Sequence, residues 1–154
     1  MIKPFIASDL REVSPLVLAY IGDAVYEVYA RCHASNYGAG NNNKLHKRTI
    51  KYVSAESQAE IARQLMDELT ETEQNYFRRG KNSNPHASSK NASHADYMYA
   101  TGFETLIGYL FMDNQESRME YLIQRSFEIA DGIKSINVIE DEDTGDELLG
   151  RTPR

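Results

Sequence analysis

The stretch Pro15-Leu-Val-Leu-Ala-Tyr-Ile-Gly-Asp-Ala-Val-Tyr-Glu-Val-Tyr-Ala-Arg-Cys-His-Ala34 decides the fold class. Ser14 supplies an N-cap, and Pro15 takes the first helical position, where a missing N–H costs nothing. Leu18, Ile21, Val25 and Val28 then recur at three- and four-residue spacing, the period of one helix face. Within the stretch stands Gly22, at a place where glycine costs about 1 kcal/mol against alanine, so its presence marks the close approach of something else. Asp23 follows among Ile21, Ala24 and Val25 and emerges from the edge of a packed face. Glu27 lies four residues on, on the same side. Carboxylates at that spacing repel by a few tenths of a kcal/mol unless a cation lies between them.

Outward from this helix the period stays helical. Ser35 to Asn43, with Gly38, Gly40 and three consecutive asparagines, reads as a turn, and Lys44 to Val53 as a short basic helix. Ser54 caps a third helix through Leu69, with Ala55, Ile61, Ala62 and Leu65 on one face. Thr70 and Glu73 form a capping box for a fourth, which Gly80 is expected to end. Lys81 to Ser93 is a polar loop containing Pro85, of a length that usually carries function. A fifth helix spans His94 to Met112, and a sixth runs from an Asn114 cap to a Gly132 stop. With no strand pattern, the expectation is an all-α bundle of about six helices over residues 1–133. Residues 134–154 read as a solvated acidic tail, because they offer little to bury against their ordering entropy.

The chain's 154 residues are enough for one domain with a real core. The net charge of -6 and pI near 5.2 exclude a uniformly basic nucleic-acid binder. The charge is uneven, however. Residues 140–154 hold six acids and two bases, leaving 17 acids and 15 bases upstream. Eight of those bases fall in two acid-free windows, 38–53 and 74–95, which makes an RNA-binding face legible on an acidic protein. The lone Cys32, in an apolar-periodic stretch, reads as a small buried hydrophobe and fits a reducing cytosol. No apolar run is long enough to span a membrane and no signal-peptide pattern opens the chain, so a soluble, cytoplasmic protein is expected.

A second acid stands out in Thr101-Gly-Phe-Glu-Thr-Leu-Ile-Gly-Tyr-Leu-Phe-Met112. Glu104 lies among Phe103, Leu106, Ile107 and Leu110, between Gly102 and Gly108. A salt bridge to an arginine, or exposure on a polar face, would explain one such glutamate, since a buried unpaired charge is costly. Two glycine-flanked acids on two mostly apolar helices instead point to shared oxygen ligands for a hard cation such as Mg²⁺.

These residues also carry a resemblance. Ile21-Gly-Asp-Ala-Val-Tyr-Glu27 resembles the signature helix of the ribonuclease III family, and Phe103-Glu-Thr-Leu-Ile-Gly-Tyr-Leu-Phe-Met-Asp113 its second metal-binding helix. Leu45-His-Lys-Arg, Tyr52-Val-Ser-Ala-Glu-Ser-Gln-Ala59 and Leu18-Ala-Tyr-Ile-Gly-Asp are similar to the short bacterial branch, Mini-ribonuclease III. The resemblance covers about residues 15–130 and lacks a segment for a separate RNA-binding domain. It implies an all-helical homodimeric endonuclease that cuts double-stranded RNA with Mg²⁺, Mn²⁺ being able to substitute, and leaves 5′-phosphate ends in staggered cuts. The substrate it implies is large-subunit ribosomal RNA precursor. Asp23 and Glu104 correspond to family metal ligands. Ala19 and Thr101 stand where larger members carry further carboxylates. Glu27, which a solvent-facing acid explains equally well, is assigned a supporting role at most, as is Thr101. Two carboxylates with the substrate phosphate suffice for Mg²⁺, which keeps several waters.

For RNA contact the windows offer Lys44, His46, Lys47, Arg48 and Lys51, then Arg78, Arg79, Lys81, Asn82, Ser88 and Lys90, and residues 81–93 are read as a loop that orders against the minor groove. Tyr76 and Phe77 read as core, and Tyr97, Tyr99, Tyr109 and Phe111 as packing or dimer contacts. No histidine belongs to a ligand cluster, and His33 stands alone. Leu16, Leu18 and Val25 offer a dimer seam. Two alternatives remain: a non-catalytic helical module that binds RNA duplexes, and an acidic protein-interaction adaptor.

Overall fold

The structure, a computed structural model, describes residues 9–83 and 93–132. Among these the secondary structure is helical: α1 Pro15–Ser35, α2 Asn42–Val53, α3 Ala55–Leu65, α4 Glu71–Lys81, α5 His94–Met112 and α6 Glu116–Ala130. Short 3-10 turns at Leu10–Glu12 and Met66–Glu68 supplement them. No described helix is long and apolar enough to cross a membrane.

The fold is arranged around α5. Apolar side chains cover its whole circumference, as befits a helix enclosed on all sides, and every residue from Ala100 to Leu110 is buried except Glu104. Helices α1, α3 and α4 surround it, α6 closes the bundle against α3 and α5, and α2 bridges α1 to α6. Aromatic side chains fill the joints. Tyr26 meets Phe103 edge-on at 4.9 Å and donates its hydroxyl to the Tyr52 carbonyl at 3.1 Å, while Tyr76 stacks on Tyr109 at 3.8 Å.

Two polar clamps fix the outer helices. Arg118 of α6 donates to both oxygens of buried Glu73 at 2.8 and 3.0 Å, and the same carboxylate closes the α4 capping box with Thr70. Asp131, just past α6, accepts from Lys51 at 2.8 Å, Tyr52 at 2.7 Å and Tyr37 at 3.1 Å, and pairs with His33 at 3.1 Å. Burial alone would raise this carboxyl, but the four partners together hold it well below the usual carboxylate range.

Most helix ends fall where their capping residues placed them: Pro15 opens α1, Ser54 caps α3, Thr70 caps α4, and Gly132 at φ 71° follows α6. Several details differ. The Ser14 side chain makes no cap bond to α1, and α3 ends at Leu65, the chain reaching Leu69 through the 3-10 turn Met66–Glu68. Asn114 does not cap α6; it sits at φ 57° and ends α5, with Gln115 N–H donating to the Leu110 carbonyl and Asn114 N–H to that of Phe111. An asparagine tolerates the left-handed conformation, so here it is a stop rather than a start. Gly80 lies inside α4, where a Cβ would collide with the Thr105 side chain, and α4 ends at Lys81. Cys32 is exposed, not buried. The inward face of α1 is Leu18, Gly22, Tyr26, Ala30 and Ala34, whereas Val28 is 61% exposed.

Candidate functional site

Helices α1 and α5 cross where neither carries a side chain. A methyl at Gly22 would run into the Glu104 carbonyl and lie 2.7 Å from the Gly108 nitrogen; one at Gly108 would run into the Leu18 carbonyl. The backbones therefore touch, as the helix glycines led one to expect. Asp23 adjoins the crossing on one helix, and Glu104 lies one turn before Gly108 on the other.

The charge of Asp23 acts on Glu104. Glu104 is pushed up to about 8, first by burial and then by the charge of Asp23. Asp23, exposed at the rim, is raised by partial burial and by Glu27. Other partly buried acids of the fold have cationic partners: Glu73 has Arg118, Glu68 has Arg125, Asp96 has Arg63 and Asp131 has Lys51. Neither Asp23 nor Glu104 has an ion pair among the described residues, so the salt-bridge reading of Glu104 does not hold. Two converging acids without a counter-charge fit a hard divalent cation, and their oxygen donors are the type Mg²⁺ takes. No group of three or more His, Cys, Asp and Glu side chains able to hold a metal occurs among the described residues.

The supporting positions are otherwise engaged. Glu27 accepts from Arg31 at 3.0 Å. Thr101 is buried and donates to the Tyr97 carbonyl at 3.0 Å, and Ala19 is buried as well. Sequence reasoning missed Gln58. It lies on α3 beside the Glu104 carboxyl, 1% exposed, with both amide atoms lacking a hydrogen-bond partner, yet near enough to favour the charged form of Glu104. The signal was there: position 58 completes the inward face of Ala55, Ile61, Ala62 and Leu65, so a glutamine stands where an apolar residue belongs.

The basic residues divide by engagement. Lys44, His46 and Lys47 are exposed on α2 and make no ion pair among the described residues. Arg48 braces the preceding turn by donating to the Gly38 carbonyl at 2.6 Å, and Lys51 is held by Asp131. Arg78 donates to Asn75; Arg79 donates to the Arg11 carbonyl at 3.0 Å and lies over Tyr76; Lys81 lies over Tyr99. Asn82 is the exposed C-cap of α4. Ser88 and Lys90, most of the 81–93 loop and the acidic tail lie outside the described residues. Asp23, Glu27, Arg31 and Ser35 recur every four residues and share one stripe of α1. That stripe leads into a groove of about 560 Å³ lined by Arg31, Ser35, Asn42, Asn43, His46 and Thr49. His33 is stacked on Phe127 at 4.4 Å and belongs to the Asp131 clamp.

Leu18 is fully buried within its own chain and so drops out of the dimer seam. The exposed apolar stripe of α1 is Leu16, Tyr20, Ala24 and Val28, beside an apolar hollow lined by Val25, Tyr29, Phe111 and Met119.

Comparison with known proteins places this geometry. The Ribonuclease III domain model matches residues 16–115, a span that includes Asp23, Gly22, Gln58, Glu104 and Gly108. Mini-ribonuclease 3 of Clostridium tetani is 46% identical over 123 residues, covering 79% of this chain and 82% of that protein. Mini-ribonuclease 3 of Brevibacillus brevis is 42% identical over 132 residues, covering 86% and 98%. A crystal structure of a Fusobacterium nucleatum protein superposes with a TM-score of 0.69 at 27% identity, over 77% of this chain and 94% of that one. With a domain model matched over residues 16–115 and relatives this similar along most of their length, the chain belongs to the ribonuclease III family, in its Mini-ribonuclease 3 branch.

Proposed function

We propose that the protein is a Mg²⁺-dependent endoribonuclease that cleaves double-stranded RNA to leave 5′-phosphate ends, acting in the cytoplasm on large-subunit ribosomal RNA precursor. The observation that carries this reading is the unpaired couple of Asp23 and Glu104 at the Gly22–Gly108 crossing, inside the matched ribonuclease III segment.

Asp23 and Glu104 would hold the cation, with Mn²⁺ able to take its place. When bound, the ion supplies polarisation of the scissile phosphate and a water of lowered pKa for in-line attack. The chain's own part is placement. Exposed Asp23 faces the incoming phosphate, half-buried Glu104 anchors the inner side, and the Glu27–Arg31 pair continues the stripe toward the groove. Exposed Lys44, His46 and Lys47 flank that groove and suit backbone contacts, which duplex RNA requires more than sequence-reading groups. The 81–93 loop would add contacts from the other basic window. A homodimer is supported by the apolar stripe of Leu16, Tyr20, Ala24 and Val28, and sedimentation at micromolar concentration is expected to show a dimer.

The deciding experiment incubates the protein with a long RNA duplex, with and without Mg²⁺. Cleavage is expected only with the ion and is expected to vanish in Asp23→Asn. Duplex binding that survives Asp23→Asn and Glu104→Gln, with no turnover by wild type in any divalent ion, would favour the non-catalytic module instead. Absence of salt-sensitive duplex affinity would favour the adaptor.

A further inference from the structure

Buried polar side chains in this fold have partners, with one exception among the described residues. Thr49, Ser126 and Thr105 donate to carbonyls of their own helices at 2.7–2.8 Å, and Glu73 is held by Arg118 and Thr70. Gln58 alone has both Oε1 and Nε2 buried and unpartnered. It stands on α3 among Ala59, Ile61, Ala62 and Leu65, a place that leucine would fill without a polar atom to bury. Helix α3 packs on α5, and there Gln58 lies within side-chain reach of Glu104, the one residue not buried in the run from Ala100 to Leu110. An unsatisfied amide fixed beside a carboxylate is a donor held in readiness.

We propose that Gln58 is a positioning residue for Glu104: its amide N–H donates to one carboxylate oxygen and so turns the other toward Asp23. The assignment rests on the cation-binding reading of the Asp23–Glu104 pair. An amide suits this task where a lysine or arginine would not, because it orients the carboxylate while leaving its whole negative charge to the cation. The amide oxygen is left free to accept from a water of the ion's shell, as outer-shell partners commonly do. Thr101 cannot substitute for Gln58, since its hydroxyl proton is committed to Tyr97.

The test uses the full chain without RNA. Free Mn²⁺ is followed by electron paramagnetic resonance during titration of wild type, Gln58→Leu, Gln58→Met and Asp23→Asn, with melting in EDTA measured alongside. Wild type is expected to bind Mn²⁺ and Asp23→Asn to bind little. Both Gln58 variants are expected to melt no lower than wild type in EDTA, having lost an unsatisfied polar group, yet to bind Mn²⁺ about 10–100-fold more weakly. In duplex cleavage at fixed Mg²⁺ they are expected to lose kcat with KM for RNA unchanged. Folded variants that bind Mn²⁺ as tightly as wild type would overturn the proposal. Failure of both to fold would also overturn it, by making Gln58 a packing residue. Lack of Mn²⁺ binding by wild type would overturn the underlying metal-site reading as well.

Discussion

Burial and the nearby Asp23 charge hold the proton on Glu104 up to about pH 8. Its pKa is raised above the unfolded value near 4.3, so its contribution to stability is full below that value and is lost as pH rises through about 8. The metal-free protein is therefore expected to lose melting temperature across that window, and Mg²⁺ to restore it most at the alkaline end. Nuclear magnetic resonance of the glutamate side-chain carbons in EDTA should show a titration near pH 8. The same titration in Asp23→Asn is expected to move lower, because the Asp23 charge is a cause of the shift. An unmoved midpoint would mean that Glu104 does not sense the Asp23 charge. Both acids were legible in the sequence because each interrupts an apolar helix beside a glycine. Gln58 was less conspicuous: its only mark is a polar residue on the inward face of α3, and a neutral amide carries no charge to flag it.

Helix α1 presents three stripes, each with a four-residue repeat and set about 100° apart. Leu18, Gly22, Tyr26, Ala30 and Ala34 face the core; Asp23, Glu27, Arg31 and Ser35 carry the site; Leu16, Tyr20, Ala24 and Val28 are apolar and exposed. With two apolar stripes, periodicity alone could not separate core from docking surface, which is why Val28 was read inward. The caps were more legible than the faces, because Thr70 with Glu73 is a local signal, whereas whether Asn114 starts or stops a helix depends on its backbone φ. The core stripe makes a sharp test. Gly22→Ala gains about 1 kcal/mol of helix propensity, yet its methyl meets backbone that cannot rotate aside. Overpacking of this kind costs roughly 1–3 kcal/mol or more, so the variant is expected to melt lower and lose cleavage. A higher melting point would show that the crossing relaxes freely.

At the scale of the molecule, the Asp131 clamp joins the ends of α1, α2 and α6. Its carboxyl is depressed below the unfolded value, so the stabilisation is present above about pH 4 and is lost as pH falls through the folded value. Charged hydrogen bonds contribute about 1.5–3 kcal/mol each, a sizeable share of a total near 5–15 kcal/mol. Asp131→Asn is expected to lower stability by about 2–3 kcal/mol in urea unfolding at neutral pH, with the gap from wild type closing in acid. A gap that persists unchanged at pH 2 would argue against a charge-based clamp. The sequence offered no pattern for this cluster, because its members come from three distant segments and only the fold unites them.

The touching backbones of Gly22 and Gly108 also bear on how the molecule assembles. The two acids lie about 80 residues apart in sequence, and closing a loop of that length costs about 4 kcal/mol of chain entropy. Helices can form locally long before that loop closes, since contacts of large sequence separation are slow to be made. Competence to cleave therefore arrives with the docking of α1 onto α5, and during refolding the return of activity is expected to trail the return of helical circular dichroism.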